Sequence, residues 1–250
     1  NLLQATRVQS SQGSLGGVGI LNSGNVVPNR NFIPQFAPFL HDSVRITIEK
    51  FVGEVLSSEA SCIFKMNKII GISGLAGDGK DSLCNLLRTL FESNGFEFQR
   101  MALADDLKEE CREALLSMYN INPLTCSRKE KSAIRDFLVF YAKVKREESK
   151  GTHWVNKLNK RIKALPKTEL TRIICVPDIR HAEYEKDEAA WIKKNKGILI
   201  HVKKYQIEEH FTHKKFYSTP VNSEEAYHTP RLENLADFII EWQDTSPTPP

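Results

Sequence analysis

The sequence predicts an α/β protein in three layers, a central, mostly parallel sheet with helices on both faces. Two observations predict it. From residue 66 onward, short apolar runs rich in isoleucine and valine (KIIGIS, TRIICV, GILIHV) alternate with helix-length segments. Strands separated by helices pair in parallel through right-handed crossovers. The chain also has 250 residues, 40% of them apolar, enough for one sizeable domain or a domain plus an appendage.

Taken in order, residues 1–40 contain Arg7 and Arg30 but no acidic residue, and Gly, Ser, Asn and Gln dominate them. No period persists there, which reads as a poorly ordered segment. Residues 43–57 are too short to separate strand from helix. Met66 opens a buried-strand pattern, so a functional domain is expected over 66–245, with 1–65 an appendage or an upstream-encoded segment.

Within that domain, residues 68–73 predict a strand. Residues 79–94 predict a helix with Leu83, Leu86, Leu87 and Leu90 on one face and Gly95 at its end. Residues 97–103 form a short strand. Residues 105–119 form a helix with acidic residues in its first turn, where the helix dipole favours them. Helices follow at 129–148 and 153–164, a strand at 171–176, a helix at 183–195, and strands at 197–202 and 236–240.

Composition narrows the function. A net charge of +4, from 35 basic and 31 acidic residues, is too mild to indicate nucleic acid. No apolar run reaches the roughly 18 residues of a membrane span. Cys62, Cys84, Cys111, Cys126 and Cys175 are odd in number and lack close CxxC spacing, which fits reduced thiols of a cytoplasm better than disulfides or a zinc module.

The strongest motif is Gly74-Leu75-Ala76-Gly77-Asp78-Gly79-Lys80-Asp81-Ser82. It fits G-x-x-x-x-G-K between a predicted strand and a predicted helix, the context a phosphate-binding loop requires. The glycines let the backbone wrap closely, successive N–H groups form an anion nest, and the helix start adds its positive end. Lys80 supplies a point charge for β- and γ-phosphates. Asp81 replaces the usual Ser or Thr; as a hard oxygen ligand it is expected to hold Mg²⁺ directly or through water.

RIICVPDIR, 172–180, is an apolar strand ending in Asp178. Ligands of open α/β sheets sit at the carboxyl ends of strands. Asp178 is therefore expected near the phosphate loop, holding Mg²⁺ water or substrate, and Arg180 is suited to gripping a phosphate. Between Arg128 and Lys163, twelve basic residues face four acidic ones, a net of +8. That segment is the candidate for a mobile cationic flap. His210 and His213 lack a third ligand and read as surface residues, and Trp191 reads as core.

These blocks together resemble the phage-type deoxynucleoside monophosphate kinases, a branch of the P-loop nucleotide kinases, from Met66 to about Trp242. GLAGDGKDS matches that family's GKD variant of the loop. ALADDLK (102–108) resembles its monophosphate-site block and points to Lys108. SRKEK–IRDFL (127–138) points to Arg135 as a substrate contact, and HWV (153–155) to Trp154 near the nucleotide. VPDIR (176–180) points to Asp178 and Arg180 at the acceptor, and Glu183 and Glu185 both stand where an acidic residue follows.

The resemblance implies a P-loop NTPase-type fold with a helical lid and substrate region. It implies ATP and Mg²⁺ as cofactors and transfer of a phosphoryl group to a deoxynucleoside monophosphate. Lys80, Arg135, Arg180 and Arg146, or Lys145 in place of Arg146, would be the catalytic cations, with Asp81 and Asp178 at the metal. Partners would be nucleotides rather than nucleic acid or membrane. The chain would be a homodimer working in a cytoplasm, that of the host if it is viral. Two other readings stay open: a kinase for another phosphorylated acceptor such as phosphomevalonate, and a nucleotide-binding module without transfer activity.

Overall fold

A computed structural model describes residues 67–207 and 215–244, together with Ile48, Lys50, Val52 and Gly53. The β-branched run at the start of the domain forms β1 (Lys68–Gly74), followed by α1 (Lys80–Ser93) and β2 (Glu97–Arg100). Then come α2 (Leu103–Tyr119), α3 (Arg128–Ala133), α4 (Arg135–Glu148) and α5 (Thr152–Ala164). The chain continues through β3 (Arg172–Val176), α6 (Glu188–Lys194) and β4 (Ile198–Ile207), and closes with β5 (Lys215–Tyr217), α7 (Ser223–Leu235) and β6 (Phe238–Gln243).

The strands run β2-β3-β1-β4-β5, with β6 pairing β4. All pairings are parallel except β4 with β5, so the sheet is mixed but mostly parallel. Strand alternation sends side chains to two cores. Ile70, Ile72, Ile173, Cys175, Ile200 and Val202 pack with Leu83, Leu87 and Phe91 of α1. Ile69, Ile174, Val176 and Leu199 pack on the other face with Trp154, Leu158 and Ile192 of α5 and α6. Helices therefore cover both faces, as the pattern requires.

The order of strands creates one crevice. β1 and β3 are neighbours, with Gly71 opposite Val176. The connection from β1 leads through α1 to β2 on one side; the connection from β3 leads through α6 to β4 on the other. Where adjacent strands send their chains in opposite directions, a cleft opens at their carboxyl ends. Gly74 and Pro177 begin the two loops that leave there.

Several expected boundaries shift. The helix expected over 129–148 breaks at Ile134, where α3 ends and α4 begins. The helix expected from 183 starts at Glu188, because the Asp187 carboxylate accepts the N–H groups of Glu183 and Tyr184 and holds a turn in front of it. β2 ends at Arg100 and β4 runs on to Ile207. β5 and α7 were not among the expected elements. Trp191 is core, as expected, at 6% exposure.

The boundary at residue 66 needs correcting in one respect. Ile48 and Val52, helical residues four apart inside the expected appendage, are buried in the α1-side core. That part of the upstream segment completes the domain. His210 and His213 lie outside the described residues. Among the described residues no helix is long and apolar enough to cross a membrane.

Candidate functional site

The glycine-rich loop begins where β1 ends. Gly74, Gly77 and Gly79 have φ of 144°, 88° and 86°, the positive range that disfavours side chains. Ala76 and Gly77 form the exposed tip. Asp78, by contrast, is 2% exposed. Its Oδ2 accepts the Leu75 N–H at 3.1 Å, and its own N–H donates to the Leu75 carbonyl at 3.2 Å. Asp78 thus ties the loop to itself.

Gly79 caps α1 without any side-chain bond, so the first N–H groups of that helix keep the donors that an anion would take. Gly79 is also a steric requirement. A Cβ there would lie 2.2 Å from Cζ2 of Trp242 in β6.

Lys80 turns back over the loop, donating to the carbonyls of Gly74 at 2.8 Å and Leu75 at 2.6 Å. Burial, and next the Arg180 guanidinium, hold its ammonium below the usual lysine value. That second cause places Arg180 within electrostatic reach of Lys80. The N–H of Ile179 donates to the carbonyl of Ile72 at 3.1 Å, so the chain leaving β3 stays beside β1 up to Arg180. Lys80 and the exposed Arg180 thus both leave the carboxyl ends of neighbouring strands.

Asp178 stands at this strand end but is turned to a different task. Its two oxygens accept the N–H groups of Leu103 at 2.9 Å and Ala104 at 2.8 Å. These are the first two residues of α2, which has no cap of its own. Burial raises its pKa against those two bonds. Asp178 thus caps α2 with both of its oxygens. Asp81, the other expected metal ligand, is open: its side chain is 79% exposed, and only a 3.2 Å bond from Arg100 reaches its Oδ1. Ser82 is exposed beside it.

Arg180 is positioned from behind by a carboxylate that sequence reading did not single out. Glu188 Oε2 accepts the N–H groups of Arg180 at 2.6 Å and His181 at 3.1 Å. Burial pushes this carboxyl up to about 8. The Arg180 guanidinium itself is 55% exposed, with Glu225 of α7 at 3.7 Å. Neither Glu183 nor Glu185 fills this place. Glu183 instead bonds Arg146 at 2.9 Å.

The other expected site residues divide. Arg146 is not on an open flap: it is 5% exposed, lies over the Tyr184 ring at 5.1 Å, and leaves Nη1 buried without a partner. Lys145 pairs with Glu148 at 3.2 Å on the same helix. Trp154 is 5% exposed and packs in the core, its indole N–H reaching the Ala142 carbonyl at 3.4 Å. It is a packing residue rather than a nucleotide platform. Lys108 is half-buried on α2 and Arg135 exposed at the start of α4; among the described residues no contact links either to the loop.

The basic segment as a whole is docked, not loose. Arg161 bonds the Ala102 carbonyl and Asp106, Lys157 pairs with Glu110, and Lys143 with Glu224. A cavity of about 170 Å³ opens on the other side of the loop. Leu75, Asp78, Lys203, Tyr217 and Pro230 are among its lining residues. Its floor includes His201, which is 1% exposed and bonded through Nδ1 to Ser73 Oγ at 2.9 Å.

The site thus sets a glycine loop with Lys80 at the uncapped start of α1, next to the strand end that carries Arg180. Compared with known proteins, the chain matches no family model and no curated sequence.

Proposed function

We propose that the protein transfers a phosphoryl group from ATP to a deoxynucleoside monophosphate, on a P-loop kinase fold. The observation that carries the reading is the glycine loop at the end of β1, with three positive-φ glycines and Lys80 folded over it, beside the carboxyl end of its parallel neighbour β3. Backbone N–H groups turned into such a loop favour an anion. The uncapped start of α1 supports the same ligand.

In this reading the loop and Lys80 hold the β- and γ-phosphates, and Arg180 faces the acceptor. The γ-phosphorus–oxygen bond to the β-phosphate breaks, a bond to an acceptor phosphate oxygen forms, and ADP leaves. That oxygen is already anionic near neutral pH, so the protein needs to orient and neutralise rather than abstract a proton. Asp81 is the carboxylate that fits Mg²⁺, whose charge would offset that of the phosphates. The cavity lined by Leu75 and Tyr217 adjoins the loop and offers room for the base.

The test is ADP release measured over a panel of deoxynucleoside monophosphates and phosphomevalonate, with Lys80→Ala as control. The reading expects turnover with at least one deoxynucleotide and its loss by orders of magnitude in the variant, with circular dichroism unchanged. Turnover only with phosphomevalonate overturns the acceptor. Tight ATP binding with no transfer to any acceptor overturns the enzyme.

A further inference from the structure

We propose a transition-metal site of the Zn²⁺ type formed by His181, Glu224 and His228, separate from the phosphate loop. His181 comes from the turn after β3. Glu224 and His228 come from one face of α7, four residues apart. One ligand atom from each lies within 4.8 Å of the others.

Three details favour a metal over a hydrogen-bonded cluster. His228 Nε2 is 3.6 Å from Glu224 Oε2, too far for a hydrogen bond. Ligands at 2.0–2.2 Å from a tetrahedral Zn²⁺ sit roughly 3.4 Å apart, close to that spacing. Moreover, Nδ1 of His181 is buried without a partner. The rings meet edge to face, centroids 4.6 Å apart at 88°, so they do not bond each other. His228 is 2% exposed, and its Nε2 is the ring atom that faces Glu224.

The surrounding charges permit a cation. Arg146, the nearest guanidinium, is neutralised by Glu183 at 2.9 Å. Lys143 takes Oε1 of Glu224 at 3.1 Å and leaves Oε2 to face the histidines. Two nitrogens and one carboxylate suit Zn²⁺ rather than Mg²⁺, and leave a fourth position open. A bound ion would pin the turn carrying Arg180 and His181 against α7.

The experiment uses the full chain after chelator treatment. Calorimetric titration with Zn²⁺ is expected to show one equivalent bound, with Mg²⁺ failing to compete, and Co²⁺ to give the visible absorption of a four- or five-coordinate site. His181→Ala and Glu224→Gln, at half-buried positions, should each weaken Zn²⁺ binding by more than the 10- to 100-fold typical of an outer-sphere partner. They should also abolish the Zn²⁺-dependent rise in Tm. Lys80→Ala should bind Zn²⁺ as the wild type does. No stoichiometric binding by the wild type, equal competition by Mg²⁺, or unchanged affinity in the two ligand variants overturns the site.

Discussion

Gly79→Ala tests how the loop is built. The position has φ of +86°, and forcing an alanine into the left-handed region costs about 1–2 kcal/mol. The new Cβ also meets the indole of Trp242 at 2.2 Å, with a second ring atom at 3.0 Å. Trp242 is packed against the α1-side core, so the ring has little room to withdraw. Overpacking of that kind costs about 1–3 kcal/mol. Together the two effects predict a loss of about 2–5 kcal/mol in urea unfolding.

A second substitution separates them. Trp242→Leu removes the clash but not the backbone strain, so the double variant should recover only the overpacking part. A coupling of about 1–3 kcal/mol between the two sites is expected. ATP binding in Gly79→Ala should weaken further than stability alone explains, since the helix start moves with the loop. A change in stability below about 0.5 kcal/mol, the range of an ordinary surface substitution, would refute the contact and with it the placement of β6 behind the loop.

Three other outcomes follow from named contacts. His201 is held neutral by burial, with its pKa lowered to about 4. The unfolded chain therefore binds more protons as pH falls from about 6.5 to 4, and His201 should contribute up to about 3 kcal/mol to the decline in wild-type stability across that window. His201→Asn should flatten that part of the curve, and parallel curves would exclude His201 as its source. Asp178→Ala should cost about 2 kcal/mol, near the upper end for a lost helix cap, without altering Mg²⁺ dependence; a shifted Mg²⁺ titration at unchanged stability would restore the metal role. Ile48, 1% exposed, predicts a loss of about 2–5 kcal/mol for Ile48→Ala, and a chain starting at Met66 should lose at least as much. Unchanged denaturation in both would return residues 1–65 to the status of an appendage.

What could be read in advance was local. The β1–loop–α1 unit is encoded by neighbouring residues: an isoleucine run, three glycines at fixed spacing, a lysine, then leucines on one face. β3 was equally plain, because RIICV is buried throughout. The misreadings came from contacts across the chain. Asp178 finds its partners 74 and 75 residues away, and no spacing around VPDIR hints at them. Trp154 and Arg146 lie on helices whose buried faces depend on where the sheet sits. α7 escaped notice because Pro230 interrupts its pattern and only His228 and Leu232 are buried on it. The Asp187-Glu188 pair offered one usable signal, two acids at the start of a helix, where free backbone N–H groups gather.

The buried acids explain why the crevice can be cationic at all. Asp78 spends an oxygen on the Leu75 N–H, Asp178 both of its oxygens on α2, Asp187 one on the turn at 183–184, and Glu188 one on Arg180 and His181. Each fixes backbone, and among the described residues no hydrogen bond or ion pair joins these four to the Lys80 ammonium or the Arg180 guanidinium. Had any of them formed a tight ion pair with Lys80, burial would no longer have depressed the lysine, because an adjacent carboxylate favours the charged form. Burial lowers the Lys80 ammonium, with Arg180 the next cause, while these four carboxylates order the loops and Glu225 lies 3.7 Å from the Arg180 guanidinium. A loop that leaves its helix-start N–H groups and a lysine for an anion gains stability when one binds. Protection of the fold by inorganic phosphate or ATP, lost in Lys80→Ala, is the direct consequence.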